Sequence, residues 1–83
     1  MPVWLVDYDL QAKPASRRVA FYNARKKLIA EALKESGLEF FRSSQSVVIT
    51  SSEQLARKMC ELAKFFGART ANLYRLGDMV QEA

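Results

Sequence analysis

Two carboxylates close the first apolar run of this chain. The segment Val3-Trp4-Leu5-Val6-Asp7-Tyr8-Asp9-Leu10 carries Asp7 and Asp9 two positions apart, and side chains at that spacing project from one face of a strand. Side by side at the end of a buried element they repel each other, and burying them without partners is costly. The chain must therefore bring up cations, as arginine, lysine or metal. It holds no histidine and a single cysteine, Cys60. That removes the imidazole general base, the Ser-His and Cys-His nucleophile pairs, and histidine or thiolate metal sites. Any metal here is a hard cation on carboxylate oxygens, Mg²⁺ or Mn²⁺ in character.

The basic residues are concentrated. Residues 11–42 hold eight of them (Lys13, Arg17, Arg18, Arg25, Lys26, Lys27, Lys34, Arg42) against Glu31, Glu35 and Glu39, a local charge of +5. The remainder holds five basic residues against six acids, or −1, which completes the net +4. An excess confined to one helix and its flanks fits a polyanion such as nucleic acid, or else a solvated helix face. Eighty-three residues make one domain, with a core over 3–76 and a short tail over 77–83. The lone cysteine suits the cytosol. No apolar run is long enough to span a membrane, and no leader is expected ahead of the first strand.

The elements that position these groups are read as four strands and two helices. A strand over 3–10 leads through Gln11-Ala12-Lys13-Pro14 into a long helix reaching about Ser36 and ending at Gly37. Strands follow over 38–42 and 46–50, joined by the polar turn Ser43-Ser44-Gln45. A second helix over 52–66 opens on overlapping capping-box patterns, Thr50-x-x-Glu53 and Ser51-x-x-Gln54, and ends at Gly67. A fourth strand spans 71–76. In the second helix Leu55, Met59, Leu62 and Phe66 form one stripe with Ala56 and Ala63, opposite Arg57, Lys58, Glu61 and Lys64. Met59 and Cys60 read as packing residues. In the long helix Phe21, Tyr22, Leu28, Ile29, Ala32 and Leu33 fill one apolar arc, yet Arg18 and Arg25 fall inside it. Either they snorkel to solvent, or Arg18 reaches the Asp7/Asp9 end of the first strand or a bound phosphate.

This element order is the α+β, ferredoxin-like split βαβ: an antiparallel sheet with both helices on one face. The opposite face is left bare. Phe40-Phe41 and Val47-Val48-Ile49 are too apolar for free exposure. A homodimer packed sheet face to sheet face is the simplest solution, and its symmetry brings equivalent residues together.

Tyr8-Asp9-Leu10, closing the first strand, resembles the Tyr-Asp-aliphatic ending of the CRISPR-associated Cas-two proteins. Gln45-Ser46-Val47-Val48 is similar to that family's Gln-x-Ser-Val-aromatic stretch, with one residue fewer and Val48 at the aromatic position. Arg17-Arg18 resembles the basic residues opening the family's first helix. The long interval from Asp9 to Ser46 is closer to that of the related virulence-associated D proteins. The resemblance spans residues 3–76 and implies a ferredoxin-like homodimer with aspartates of both subunits facing across a cleft. Some members are metal-dependent nucleases of RNA or DNA; others are structural parts of the spacer-integration complex. On this resemblance Asp9 is the catalytic candidate and a candidate ligand of Mg²⁺ or Mn²⁺; Asp7, where the family more often has an apolar residue, joins it as a candidate ligand on the strand period alone. Such an ion neutralises phosphate and activates water where histidine is absent. Arg17, Arg18, Arg25 and Lys26, with Ser44 and Ser46 as weaker polar contacts, are the candidate nucleic-acid-binding residues. The chain departs from Cas-two proteins in its short tail, in Val48 and in its longer first helix.

Two other readings stand beside this one. A non-catalytic nucleic-acid module would stack bases on Trp4, Tyr8, Phe40, Phe41 and Tyr74, although the RNA-recognition signature is absent. A small-molecule regulatory domain uses the same fold, but the Gly-rich turn usual after its first strand is missing at 11–14.

Overall fold

The computed structural model describes residues 2–11, 15–34 and 41–78. The order is β1 (Pro2–Asp9), α1 (Ala15–Lys34), β2 (Phe41–Ser43), β3 (Val47–Thr50), α2 (Glu53–Phe65) and β4 (Thr70–Asp78). The four strands form one sheet in the order β2-β3-β1-β4, and every neighbouring pair is antiparallel. Because β3 lies between β1 and β2, the β1-α1-β2 unit is split, and the fold is ferredoxin-like. The expected Leu38-Glu39-Phe40 start of the second strand, and the helix end at 35–37, fall outside the described residues.

Alternation along β1 sorts its side chains. Val6 and Tyr8 point into the helix layer and are buried, while Leu5 and Asp7, on the other face, are half-buried. The core joins Val6, Tyr8 and Val48 from the sheet to Phe21 of α1 and to Leu55, Ala56, Met59, Cys60 and Ala63 of α2. Met59 is fully buried and Cys60 nearly so, as packing residues should be. The two helices pack differently. α2 lies close on β1, β3 and β4, whereas α1 packs its backbone against α2 alone. Phe21 closes the remaining gap to the sheet, edge-on to Tyr8 at 5.1 Å, Tyr22 at 5.2 Å and Phe66 at 5.9 Å. Tyr22, Leu28, Ile29 and Ala32 pack beside the core. Leu33, assigned to the same arc from sequence, is 59% exposed, although its neighbour Ala32 packs beside the core.

Apart from shifts of a single residue at element ends, two boundaries differ from the sequence reading. β4 runs on through Leu76 and Gly77 to Asp78, because β1 offers it a free edge: Trp4 pairs with Arg75 and Pro2 with Asp78, a one-residue register shift lying between them. A bulge of this kind absorbs a glycine that otherwise reads as a stop. The N-cap of α2 is Ser52, one or two residues later than either capping-box pattern placed it, and its side chain accepts from the Leu55 N–H. Thr50, fully buried at the end of β3, instead accepts from the Ser52 N–H at 3.1 Å. The helix ends as expected: Gly67 has φ +79°, a left-handed conformation that glycine adopts without a Cβ clash.

Candidate functional site

Where β1 ends, α1 begins its second turn and the β2–β3 turn passes beneath both. Tyr8, Asp9, Leu10, Arg18, Tyr22, Gln45 and Ser46 line a small polar cavity of about 180 Å³ at this corner. Three residues singled out from sequence, Asp9, Arg18 and Ser46, therefore meet in one place. Arg18 lies four residues before Tyr22, one turn along the same helix face, and this spacing carries it to the end of β1.

The turn beneath the cavity is tied down at three successive carbonyls. Arg25 donates from Nη2 to the Ser44 carbonyl at 2.7 Å, the Tyr22 hydroxyl donates to the Gln45 carbonyl at 2.9 Å, and the Tyr8 N–H donates to the Ser46 carbonyl at 3.0 Å. The Ser44 N–H in turn donates to the Val47 carbonyl at 2.8 Å. Ser44 thus meets the site through its backbone. Arg25 also lies over the Tyr22 ring, 5.8 Å from its centroid, within cation–π range.

Among the described residues, the buried Arg18 Nε and Arg25 Nε here have no hydrogen-bond partner. Burial raises the Tyr8 phenol above its ordinary value, and the neighbouring Arg25 guanidinium pulls it part of the way back. The same guanidinium also lies within hydrogen-bonding reach of the hydroxyl. Of the arginines expected within the apolar arc, Arg18 lines the cavity and Arg25 reaches the Ser44 carbonyl beside it; both are half-buried.

Asp7 and Asp9 share the sheet face turned away from the helices, as their spacing required. The cations expected beside them are not what satisfies Asp7: Asn72, opposite it on β4, donates from Nδ2 to Asp7 Oδ1 at 2.9 Å. Asp9 is exposed at the cavity rim, where water offsets its charge, and no ion pair joins it to Arg18 among the described residues. Its carbonyl accepts from the Arg69 N–H at 2.8 Å. Among the described residues no three acidic, histidine or cysteine side chains gather as a metal site, and the carboxylates they offer an ion here are this pair.

Arg17 and Lys26 are exposed and lie outside the cavity lining. Arg17 covers the α2–β4 turn, its Nη1 3.0 Å from where a Cβ on Gly67 would stand, and Gln11 donates to the Gly67 carbonyl at 3.1 Å. The sequence reading took Tyr8 only as a base-stacking aromatic, passed over Tyr22 and Gln45 as site residues and gave Arg69 no part. Tyr8 and Gln45 lay inside the motifs already quoted, and Tyr22 was signalled by its helical spacing from Arg18. Arg69 carried no local signal, since only the β1–β4 pairing brings it to Asp9.

Of the aromatics that could stack bases, Trp4, Tyr8 and Phe41 pack on the helix side. Trp4 is flanked there by Arg57 at 6.0 Å and Arg75 at 5.8 Å. Phe40 lies outside the described residues, which leaves Tyr74 on the open face. No helix among the described residues is long and apolar enough to cross a membrane. Comparison of the chain with protein-family models, with curated proteins and with solved structures finds no match.

Proposed function

We propose that the protein is a cytosolic, nucleic-acid-binding homodimer that contacts the phosphate backbone at the corner formed by Asp9, Arg18 and Ser46. The observation that carries this is the meeting of those residues in one donor-rich cavity beside the basic α1. Arg18 and Arg25 supply forked donors matched to phosphate oxygens. The exposed Arg17, Lys26, Lys27 and Lys34 extend the positive surface along the helix. The turn at 44–46, held by three hydrogen bonds to its carbonyls, keeps Ser46 in place without reorganisation on binding.

The resemblance to Cas-two and virulence-associated D proteins extends the reading to metal-dependent phosphodiester cleavage. A bound Mg²⁺ or Mn²⁺ would supply charge neutralisation and water activation. Asp9, with Asp7, would hold it, and a second copy facing the first is needed to double the two carboxylates that one chain provides. Within one chain the pair is a poor match for the ion, since Asp7 already accepts from Asn72.

Fluorescence anisotropy with labelled single-stranded RNA and DNA across a salt series tests the binding. Affinity should fall linearly in log–log form with salt, and Arg18→Gln should weaken binding by roughly tenfold and lower the slope by about one. A salt-independent affinity, or none, rejects it. Cleavage is tested separately: Asp9→Ala should abolish Mn²⁺-dependent cutting without weakening the binding, because a carboxylate at this corner repels phosphate rather than holding it.

A further inference from the structure

We infer that Phe65 and the turn after α2 form a stacking site for one base of a single-stranded nucleic acid, with the adjoining phosphates held by Arg17 and Arg69. The inference rests on the nucleic-acid reading above and adds to it which kind of strand is bound and where a base lies.

Phe65 breaks the pattern of its own helix. The apolar stripe of α2 turns Leu55, Met59 and Ala63 inward, and Phe66 follows it to meet Phe21 at 5.9 Å. Phe65 is set about 100° round the helix from Phe66. At 82% exposed it is the most open large hydrophobic side chain among the described residues. It is nonetheless held in place. Its ring stands nearly perpendicular to that of Phe66, with centroids 5.2 Å apart, and Phe66 links it through Phe21 to Tyr8 in the core. An edge-to-face contact of this kind orients a ring while covering little of it, so a ring face stands open to solvent.

The surroundings of that ring are polar and cationic. Lys64 precedes it and is exposed. Arg17 reaches across from α1, its Nη1 3.0 Å from where a Cβ on Gly67 would stand. Arg69, also exposed, follows two residues after Gly67, its N–H bound to the Asp9 carbonyl at 2.8 Å. Glu61, one turn before Phe65, and Asp9, at the rim of the neighbouring cavity, oppose these three cations; both carboxylates are exposed and screened by solvent. The other exposed large hydrophobics, Val19, Leu33, Tyr74 and Leu76, belong to α1 and β4 and none to this turn. A protein contact needs contiguous apolar area. A single open ring among cations instead fits a flat π-system joined to negative charge. A nucleotide in a single strand is such a group, since every base has a π-face and stacking tolerates any sequence. In a duplex those faces are already taken by neighbouring bases.

The experiment measures binding of a single strand, of a sugar–phosphate strand of equal length without bases, and of the annealed duplex, by the full chain across a salt series. The single strand should bind about tenfold tighter than the baseless one, the usual contribution of one stacked base. Phe65→Ala should remove that margin while leaving the salt slope and the affinity for the baseless strand unchanged, because stacking releases no counterions. Phe65→Trp should restore the margin, and its indole should be quenched by the single strand beyond any change that Trp4 shows in the wild type. Arg17→Gln should instead lower the salt slope by about one. Both Phe65 variants alter an exposed side chain and should melt with the wild type. Equal wild-type binding of strands with and without bases, or a margin that survives Phe65→Ala, overturns this inference and leaves backbone binding standing. A Phe65→Ala chain that binds every strand as the wild type does but no longer self-associates assigns the ring to a protein contact, and overturns it as well. A wild type that binds no strand in a salt-dependent way rejects the nucleic-acid reading itself, and this inference with it.

Discussion

At the residue scale, Tyr8 combines two roles that usually conflict. Its ring is a core group, edge-on to Phe21 and almost fully covered, while its hydroxyl sits beside the Arg25 guanidinium. Burial favours the neutral phenol, so its pKa is raised in the folded state. The sign follows directly. Below the unfolded phenol's value near 10, both states hold the proton and the full contribution to stability is present. As pH rises through that value and on through the folded pKa, the unfolded state releases its proton first and stability falls. Urea denaturation of the wild type should therefore show a loss of stability setting in near pH 10 that Tyr8→Phe does not share. Parallel alkaline profiles for the two proteins would show that the phenol is not held in its neutral form. Much of this corner was legible in sequence. Asp9 and Ser46 stood in short motifs, and helical periodicity put Arg18 and Arg25 on the inward arc. The Asn72 amide on Asp7 was not, because the two are 65 residues apart and only the β1–β4 register brings them together. The grip of Tyr22 and Arg25 on the turn was hidden too, since backbone carbonyls leave no mark in a sequence.

At the scale of elements, local chemistry announced most boundaries, and neighbours decided the rest. α2 carried a clear apolar stripe, and its buried residues Leu55, Ala56, Met59, Cys60 and Ala63 follow that stripe and its flank. Its start was harder to read, because Thr50, Ser51 and Ser52 are all capping residues by type. Burial of Thr50 in the sheet takes it out of contention, and its hydroxyl instead accepts from the Ser52 N–H. Glu53, the acid expected to complete a capping box, pairs with Arg57 one turn along at 2.8 Å. Both partners of that pair are largely exposed, so it contributes little. Ser52→Ala should therefore cost about 1 kcal/mol, the usual effect of losing a cap, and Glu53→Gln should cost at most a few tenths. Thermal melts of the two variants check the ranking. Equal losses would place the cap on Glu53's side of the box. β4 shows the opposite limit: Gly77 is a reasonable stop in isolation, but the free edge of β1 extends the strand past it.

On the scale of the whole molecule, the helices cover one face of the sheet and leave the other with an apolar centre. Register places Ile49, Leu5 and Tyr74 in one row across β3, β1 and β4. Tyr74 is 47% exposed and Leu76 48%, and an open groove lined by Phe41, Arg42, Ser43, Ser44, Val47 and Ile49 runs alongside. A contiguous apolar row rimmed by Arg42 on one side and by Asp7 and Asp9 on the other suits an isologous contact, in which each copy's cations approach the other's carboxylates. The proposed dimer uses this face, and β1 at its centre carries both aspartates toward the partner. Ile49→Lys places a charge in the middle of the row, on a half-buried side chain of the open face, outside the helix-side core. Light scattering after size exclusion should give a dimer for the wild type and a monomer for this variant, with the same circular dichroism. The monomer should keep the phosphate contacts of the β1 corner, which lie within one chain, and lose any cutting that needs carboxylates from two. A wild type that stays monomeric at every concentration removes the dimer, and with it the metal-holding role of Asp9. Binding at Arg18 would be unaffected by that result, because the cavity is complete in a single copy.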